Sequence, residues 1–181
     1  SKMVAHLLDM SRVNAGASPM TIEVNTAEDL VGAVVMELRG TDGVDRIRVA
    51  IDYSAPALVG MFDFVETLRI LTNLVDNALL YSAANEPVEL SATRSGDWLQ
   101  FDVADRGPGV PQEDAEHIFE PFYRHASTSS SVHGTGLGLA IARSLAEAQG
   151  GTIEYSPRDG GGSIFALKLR AVGDDSFQLE D

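Results

Sequence analysis

The stretch Leu68–Ser82, LRILTNLVDNALLYS, constrains the fold of this chain more than any other segment. The apolar residues in and just before it recur at alternating spacings of four and three, the pattern of a helix with one face packed on a core. These residues are Phe64, Leu68, Leu71, Val75 and Ala78. Asn73 and Asn77 lie off this stripe, four positions apart, and Tyr81 follows one turn later. The stretch therefore predicts a helix that buries one side and presents amide groups on another.

A lone asparagine on a helix usually does no more than face solvent, so the interpretation depends on the segments that follow. Two alternating segments around Gly96 and Asp97 predict a β-hairpin, and the second leads into the loop Asp105–Pro111, DRGPGVP. A carboxylate at a strand end can accept a hydrogen bond from an exocyclic amine, and glycines let a ligand approach the backbone. The alternative is an aspartate that only caps the turn.

A second glycine-bearing loop, His133–Ala142 (HGTGLGLAIA), opens a predicted helix over Gly136–Gln149. The first N–H groups of a helix have no partner within the helix and suit a phosphate group. A flexible hinge is the plain alternative, and the two are compatible because a lid must also move. The dinucleotide-binding loop of dehydrogenases is disfavoured, since it needs a preceding strand where this chain has a loop.

Composition limits the classes of partner. The 181 residues suit one domain, and 13 basic against 27 acidic residues give a net charge of −14. Such a charge argues against nucleic acid and anionic membranes as general partners, so a nucleotide ligand would need a metal ion, backbone N–H groups or a few placed cations. The absence of cysteine excludes a disulfide framework and a cysteine-based zinc site.

The predicted elements add up to one α/β domain, a two-layer sandwich with a mixed, mostly antiparallel sheet and helices on one face. We expect it to span 20–170, after the end of a helix and a linker in 1–19 and before an acidic, disordered tail in 171–181. Thr26 is the expected N-cap of a first helix that reaches about Arg39. The other predicted strands are Thr21–Val24, Arg46–Asp52, Leu58–Val59, and TIEYSP and SIFALKLR around Gly160–Gly162.

Four motifs in a fixed order resemble one known family: the asparagine helix, DRGPGVP, IFEPFYR at Ile118–Arg124, and HGTGLGLAIA. Together they resemble the Bergerat ATP-binding fold shared by sensor histidine kinases, type II topoisomerases, the ninety-kilodalton heat-shock chaperones and mismatch-repair ATPases. IFEPFYR is similar to the phenylalanine box of the histidine kinases. The resemblance covers roughly Met20–Arg170 and, with four motifs in order, is highly specific.

The resemblance implies a site for ATP and Mg²⁺, with Asn77 as the metal ligand and Asp105 as the reader of adenine. Asparagine oxygen is a hard ligand of the kind that Mg²⁺ prefers. Phe119 and Phe122 are expected to pin the near end of a lid, and Arg124 to reach the phosphates. The full set of candidate site residues is Asn73, Asn77, Tyr81, Asp105, Gly107, Gly109, Phe119, Phe122, Arg124, Gly134, Thr135, Gly136, Leu137 and Gly138.

Two positions distinguish branches of this superfamily. Its ATPases carry a glutamate four residues before the metal asparagine, whereas this chain has Asn73, an amide that cannot take a proton. That favours phosphoryl transfer to an imidazole over hydrolysis. In the family, a basic residue usually precedes the tyrosine of the asparagine box, but here that residue is Leu80. One phosphate contact is therefore missing, and Arg124 or Arg143 would have to bind the phosphates in its place.

The resemblance further implies a cytoplasmic histidine kinase domain of a parent anchored in the inner membrane. LLDMSR near the start resembles the end of the dimerisation hairpin, so we expect a monomer or weak dimer. The phosphoacceptor is absent, because none of His6, His117, His125 and His133 has its setting. The chain alone should therefore not autophosphorylate; its partners would be the parent's hairpin and a response regulator. The alternatives are a nucleotide-binding regulatory module and a chaperone- or topoisomerase-type ATPase.

Overall fold

The structure is a computed structural model that describes residues 19–54, 57–124 and 135–173, together with Val4, Leu8 and Ser11. The predicted linker up to residue 18, the polar loop at 125–134 with its Gly134, and the tail from residue 174 lie outside the described residues. Ala171 and Val172 still contact the domain, since Gly60 and Ala171 form a β-bridge and the Val172 N–H donates to the Val59 carbonyl at 2.9 Å.

Within the described ranges, the strands form a five-stranded sheet in the order β2-β4-β5-β7-β6 and a separate antiparallel ribbon of β1 and β3. Strands β2 and β4 run parallel, and the other three neighbouring pairs of the sheet run antiparallel. The strands are β1 Glu23–Thr26, β2 Ile47–Ile51, β3 Val59–Phe62, β4 Val88–Ser95, β5 Trp98–Ala104, β6 Thr152–Pro157 and β7 Ser163–Arg170. The sheet is mixed and mostly antiparallel, as predicted.

The helices are α1 Ala27–Glu37, a 3₁₀ turn at Val44–Arg46, α2 Phe64–Tyr81 and α3 Gly138–Ala148. Alternate residues of the central strands are fully buried, among them Leu90 in β4, Phe101 in β5 and Leu167 in β7. Helices α2 and α3 pack against each other and against this sheet, and α1 packs against α2. One sheet face and three helices thus enclose a single core, which confirms the predicted fold class.

Local capping signals in the sequence are confirmed, although some element ends move. Thr26 caps α1 by accepting from the Asp29 N–H at 3.1 Å, but the helix ends at Glu37 instead of near Arg39. Helix α3 begins at Gly138 instead of Gly136, because Gly136 has the left-handed φ of +69°. Strands β1 and β3 start one or two residues later than predicted, in the register that pairs Glu23 with Phe62.

The buried face of α2 is wider than the predicted stripe. Leu71, Val75 and Ala78 are fully buried as expected, while Phe64 and Leu68 are only partly buried. The helix also buries Thr67, Ile70, Leu74 and Leu79. A stripe suits a helix that packs on one surface, but α2 lies on the sheet and between α1 and α3, so neighbours cover it from several sides.

Side chains that join the start of α2 to the end of α3 fix these two helices relative to each other. Asp63 caps α2 by accepting from the Glu66 N–H at 3.0 Å. The Gln149 Oε1 atom, just past α3, accepts from the Asp63 N–H at 3.0 Å and from the Thr67 hydroxyl at 3.3 Å. The two helices cannot slide past each other without breaking these bonds.

Arg46 stabilises the C-terminal end of α2, where the helix itself supplies no basic residue in its last turn. Its guanidinium donates to the carbonyl oxygens of Leu79 at 2.9 Å, Ala83 at 2.6 Å and Glu86 at 3.1 Å, and to the Ser82 hydroxyl at 3.0 Å. A cation at this end also interacts favourably with the helix dipole. One residue from the turn before β2 therefore satisfies a carbonyl of the last turn of α2, of the kind that helix ends leave unpaired, and two carbonyls of the loop that follows.

We expect Arg46→Met to lower the free energy of unfolding by about 2 kcal/mol, because methionine keeps the aliphatic length but leaves those acceptors without a donor. Urea denaturation followed by circular dichroism measures this. Arg48→Met is the matched control, since Arg48 is exposed on β2 and bonds only neighbouring carbonyls, and it should change stability by less than about 0.5 kcal/mol. Equal losses in the two variants would contradict the role given to Arg46.

Candidate nucleotide site

The asparagine face of α2 meets the N-terminus of α3. A Cβ atom placed on Gly138 would lie 4.0 Å from both Cγ and Oδ1 of Asn73, so the Asn73 amide lies close to the first residue of α3. Asn77 lies one turn further along α2 and is half-buried, as are Asn73 and Tyr81. The Asn73 amide and the glycine-led helix start, which the sequence places more than sixty residues apart, therefore lie side by side.

Asp105 directly follows β5 and is 3% exposed. Its Oδ1 atom accepts from the Gly107 N–H at 2.7 Å, and its own N–H donates to the Ser163 carbonyl on β7 at 2.9 Å. The hairpin predicted from the sequence is present, with Gly96 at φ +58° in its turn and Ser95 paired with Trp98. A buried acceptor is therefore held at the strand end by bonds to its own loop and to the neighbouring strand.

Burial raises the pKa of the Asp105 carboxyl above its usual value, and the Gly107 N–H, the Ser163 backbone and the Arg158 charge partly offset this effect. The folded chain therefore holds this proton more tightly than the unfolded chain, so ionisation of Asp105 opposes folding as the pH rises through its titration range. A carboxylate that costs stability at this position is typical of a functional group.

The loop after Asp105 packs against the end of α2. A Cβ atom on Gly107 would lie 2.8 Å from the Tyr81 carbonyl oxygen, too close for any side chain. Gly109 has a φ of +72°, and the Tyr155 hydroxyl donates to the Val110 carbonyl at 3.3 Å and accepts from its N–H at 3.1 Å. The candidate residues Tyr81, Asp105, Gly107 and Gly109 thus lie together.

The β6–β7 turn also belongs to this site, and sequence reasoning missed it. A Cβ atom on Gly162 would lie 2.0 Å from the Asp105 carbonyl oxygen, so the turn backbone lies directly on the Asp105 backbone. Arg106 reaches back and donates to the carbonyls of Asp159 at 2.7 Å and Gly161 at 3.2 Å. The three consecutive glycines were the available signal, but they were interpreted only as a hairpin turn.

The phenylalanine box contacts the core through one ring and one backbone group. The Phe119 ring packs edge-on against Phe165 with ring centres 6.2 Å apart, and the Arg143 guanidinium lies 5.2 Å from the centre of the Phe119 ring. The Phe122 side chain is instead 57% exposed, with a φ of +65°, and its N–H donates to the Gly136 carbonyl at 2.8 Å. Phe122 thus contacts Gly136 through its backbone, and Arg124 is exposed.

Polar contacts hold the segment between the two glycine loops. The Tyr123 hydroxyl donates to the Asp114 carboxylate, which raises the pKa of Tyr123 to about 12. His117 bonds Glu120 through Nδ1 at 2.8 Å and stacks on the Tyr123 ring, and the Glu120 carboxylate raises the pKa of His117. These residues brace the box but lie outside the candidate set.

Local contacts shape the turn that leads into α3. The Thr135 hydroxyl accepts from the Leu137 N–H at 3.3 Å, Leu137 is buried, and Gly136 has its positive φ against the Phe122 backbone. Gly134 lies outside the described residues.

Among the described residues there is no group of three or more His, Cys, Asp or Glu side chains that could hold a metal ion, and none of the helices there has the length and apolar character to cross a membrane.

Comparison with known proteins agrees with this geometry. The family described as histidine kinase-, DNA gyrase B- and HSP90-like ATPase matches residues 63–173, which include α2, the Asp105 loop and α3. The chain belongs to this family and is an ATP-binding domain of it. The predicted family membership is thereby confirmed.

Particular relatives are sensor kinases. The sensor protein KdpD of Escherichia coli (strain K12) is 34% identical over 171 residues, covering 93% of this chain and 18% of KdpD. The sensor-like histidine kinase SenX3 of Mycobacterium tuberculosis (strain ATCC 25618 / H37Rv) is 35% identical over 173 residues, covering 94% of this chain and 42% of SenX3. The chain thus spans less than half the length of these relatives.

Solved structures show the same fold. Full-length ShkA in complex with AMPPNP superposes with a TM-score of 0.77 at 28% identity, covering 95% of this chain and 36% of ShkA. The catalytic domain of the histidine kinase ThkA superposes with a TM-score of 0.71 at 25% identity, covering 84% of this chain and 97% of that domain. The described fold is therefore that of histidine kinase catalytic domains.

Proposed function

We propose that this chain is the catalytic domain of a sensor histidine kinase, which binds Mg²⁺-ATP and donates the γ-phosphoryl group to a histidine on the parent's dimerisation hairpin, for relay to a response regulator. The observation that carries the proposal is the convergence of three elements: the Asn73 amide on Gly138, the Tyr81 carbonyl on Gly107, and the buried Asp105 carboxylate. The similarity to KdpD, SenX3 and ShkA supports the kinase reading.

The residues fit a nucleotide at both of its ends. Asp105 would accept from the exocyclic amine of adenine, and Gly107 and Gly109 would let the backbone pass close to the base. The N–H groups of Thr135, Gly136 and Gly138, together with Gly134, would bind phosphate oxygens at the helix start, while the Leu137 N–H donates to the Thr135 hydroxyl. Asn77 offers an amide oxygen, the donor type that suits Mg²⁺, whose charge would offset that of the phosphates.

Asn73 suits transfer better than hydrolysis. Its amide lies against Gly138 at the helix start but cannot accept a proton from an attacking water. An imidazole nucleophile needs no strong base there, so positioning and charge stabilisation would carry the reaction. The Leu80 side chain is 41% exposed and supplies no cation. Arg124 and Arg143 would supply one instead; Arg143 lies over the Phe119 ring and bonds Glu147 at 3.0 Å.

The second candidate is a nucleotide-binding regulatory module without transfer activity, which the exposed Leu80 favours. A purified hairpin that carries the phosphoacceptor histidine, supplied in trans with γ-labelled ATP, separates the two. Label on the hairpin that depends on Asp105 would support the kinase. A folded chain that binds ATP but labels no cognate hairpin would favour the module.

The kinase proposal has three further parts. The chain binds the parent's dimerisation hairpin, it is a monomer or weak dimer by itself, and it lies in the cytoplasm as part of a membrane-anchored parent.

We expect Asn77→Ala to remove the effect of Mg²⁺ on nucleotide affinity, because it deletes the side chain proposed to bind the metal. Calorimetric titration with a non-hydrolysable ATP analogue, with Mg²⁺ or with EDTA, measures this. The affinity in Mg²⁺ should fall about tenfold or more and the EDTA value should stay unchanged. Asn77→Asp is the control, since a carboxylate can still bind Mg²⁺. An Asn77→Ala chain that keeps its full response to Mg²⁺ would contradict the assignment.

A further inference from the structure

Arg158, at the start of the β6–β7 turn, connects three parts of the sheet edge behind Asp105. Its side chain is 13% exposed, and its Nη2 atom donates to Glu89 Oε1 on β4 at 2.7 Å. Its Nη1 atom lies 3.4 Å from the Asp105 carbonyl oxygen. Glu89 pairs across the sheet with Ala104, the residue before Asp105. One largely buried guanidinium therefore joins the turn to β4 and to the residue that follows β5.

The turn that carries Arg158 has little freedom to move. The Arg158 N–H donates to the Gly162 carbonyl at 3.1 Å, and the Gly161 N–H donates to the Arg158 carbonyl at 3.0 Å. Gly162 lies so close to the Asp105 carbonyl that no Cβ atom fits between them. A displacement of Arg158 would therefore be transmitted to the Asp105 backbone.

The contact has an electrostatic consequence as well. Burial raises the pKa of Asp105, and the positive charge of Arg158 acts in the opposite direction, as do the Gly107 N–H and the Ser163 backbone. The guanidinium thus favours the ionised carboxylate, the form that has only acceptors. Arg158 therefore affects both the position of Asp105, through its backbone, and the charge of the Asp105 carboxylate.

We propose that Arg158 is a positioning residue for base recognition: by holding the Asp105 backbone and the β6–β7 turn, it sets the preference of the site for adenine over other bases. This inference rests on the proposed nucleotide site. In this proposal Arg158 acts through Asp105 and does not itself contact the nucleotide. A plain structural role for the Arg158–Glu89 ion pair would instead change stability and leave the base preference unaltered.

The test compares Arg158→Gln and Arg158→Lys with Lys168→Gln. Lys168 forms a similar ion pair with Glu154 at 2.7 Å across β6 and β7 but belongs to no part of the candidate site. Calorimetry gives the affinity of each folded chain for non-hydrolysable analogues of ATP and GTP and for tripolyphosphate. Hydrogen exchange of the Gly107 amide, measured without nucleotide, reports the Asp105–Gly107 bond directly.

Arg158→Gln should weaken binding of the ATP analogue about tenfold and leave tripolyphosphate affinity unchanged, so the adenine-to-guanine ratio falls. The Gly107 amide should exchange faster. Arg158→Lys, which keeps the charge, should recover most of both effects, and Lys168→Gln should show neither. Unchanged adenine preference in Arg158→Gln, or an equal loss for tripolyphosphate, would overturn the proposal.

The two proposals fail differently. If the unaltered chain, shown to be folded, binds no nucleotide, the proposed function fails, and the Gly107 amide still decides whether Arg158 positions the loop. If the chain binds ATP but Arg158→Gln changes neither base preference nor amide exchange, only the role of Arg158 is overturned.

Discussion

Asp105→Asn should lower the affinity for an ATP analogue between tenfold and a hundredfold without lowering thermal stability at pH 7. An asparagine has one acceptor oxygen, and if that oxygen keeps the Gly107 N–H, its NH₂ group faces the amine of adenine, donor against donor. Stability should hold because burial raises the pKa of Asp105, so a neutral side chain removes a cost of ionisation. Calorimetry and thermal denaturation measure the two effects.

Asp102→Asn is the matched control. Asp102 lies on the same strand, its pKa is also raised by burial, and both its carboxylate oxygens accept from Gln100, at 2.8 and 3.1 Å, away from the site. It should leave the affinity unchanged. The unaltered chain should also lose affinity on acidification, as the pH falls through the raised pKa of Asp105, whereas Asp105→Asn should lack this decline. Equal affinities in the two variants would remove Asp105 from the site.

Gly162→Ala should lower the free energy of unfolding by about 3 kcal/mol or more and weaken nucleotide binding as well. The new Cβ atom would lie 2.0 Å from the Asp105 carbonyl oxygen and 3.0 Å from the Arg106 Cα atom, so backbone has to move. The φ of +110° adds strain for any residue with a side chain. Displacement of the turn also displaces Asp105, so the same substitution should lower both the stability of the chain and its affinity for nucleotide.

Gly161→Ala separates the two causes. Gly161 has a similar φ of +101°, but a Cβ atom there meets nothing within 4 Å. Its cost should be limited to the backbone strain, about 1 to 2 kcal/mol. Urea denaturation of both variants isolates the contact with Asp105 as the difference between them. If Gly161→Ala is as damaging as Gly162→Ala, the close approach is not what the turn requires.

Most of the fold could be predicted because its signals are local. The Thr26 cap, the Gly96 hairpin and the asparagine face of α2 each follow from residues within a few positions of one another. The four motifs then placed the candidate site on these elements. Element ends were less certain, as the late start of α3 shows, because the backbone at Gly136 depends on Phe122 and not on helical periodicity.

The side-chain contacts that hold the site in place could not be predicted, because each joins residues far apart in the sequence. Arg46 reaches the end of α2 some thirty-six positions away, and Arg158 reaches Glu89 across sixty-nine. An arginine in a turn looks like an ordinary surface charge until the fold shows which carbonyls face it. The Phe122 ring illustrates the converse, since an aromatic side chain expected to pin the lid is exposed, while the Phe122 backbone makes the contact with Gly136.

Trp98 is the only tryptophan of the chain, and it begins the strand that ends just before Asp105. Its ring lies under the Arg170 guanidinium, 4.2 Å from ring centre to Cζ, where β7 ends. Seven strand residues put it about 20 Å from the Asp105 end of β5. Its fluorescence should therefore respond when the sheet melts and stay silent when a nucleotide enters. The fluorescence of Trp98 therefore reports folding of the sheet independently of nucleotide occupancy.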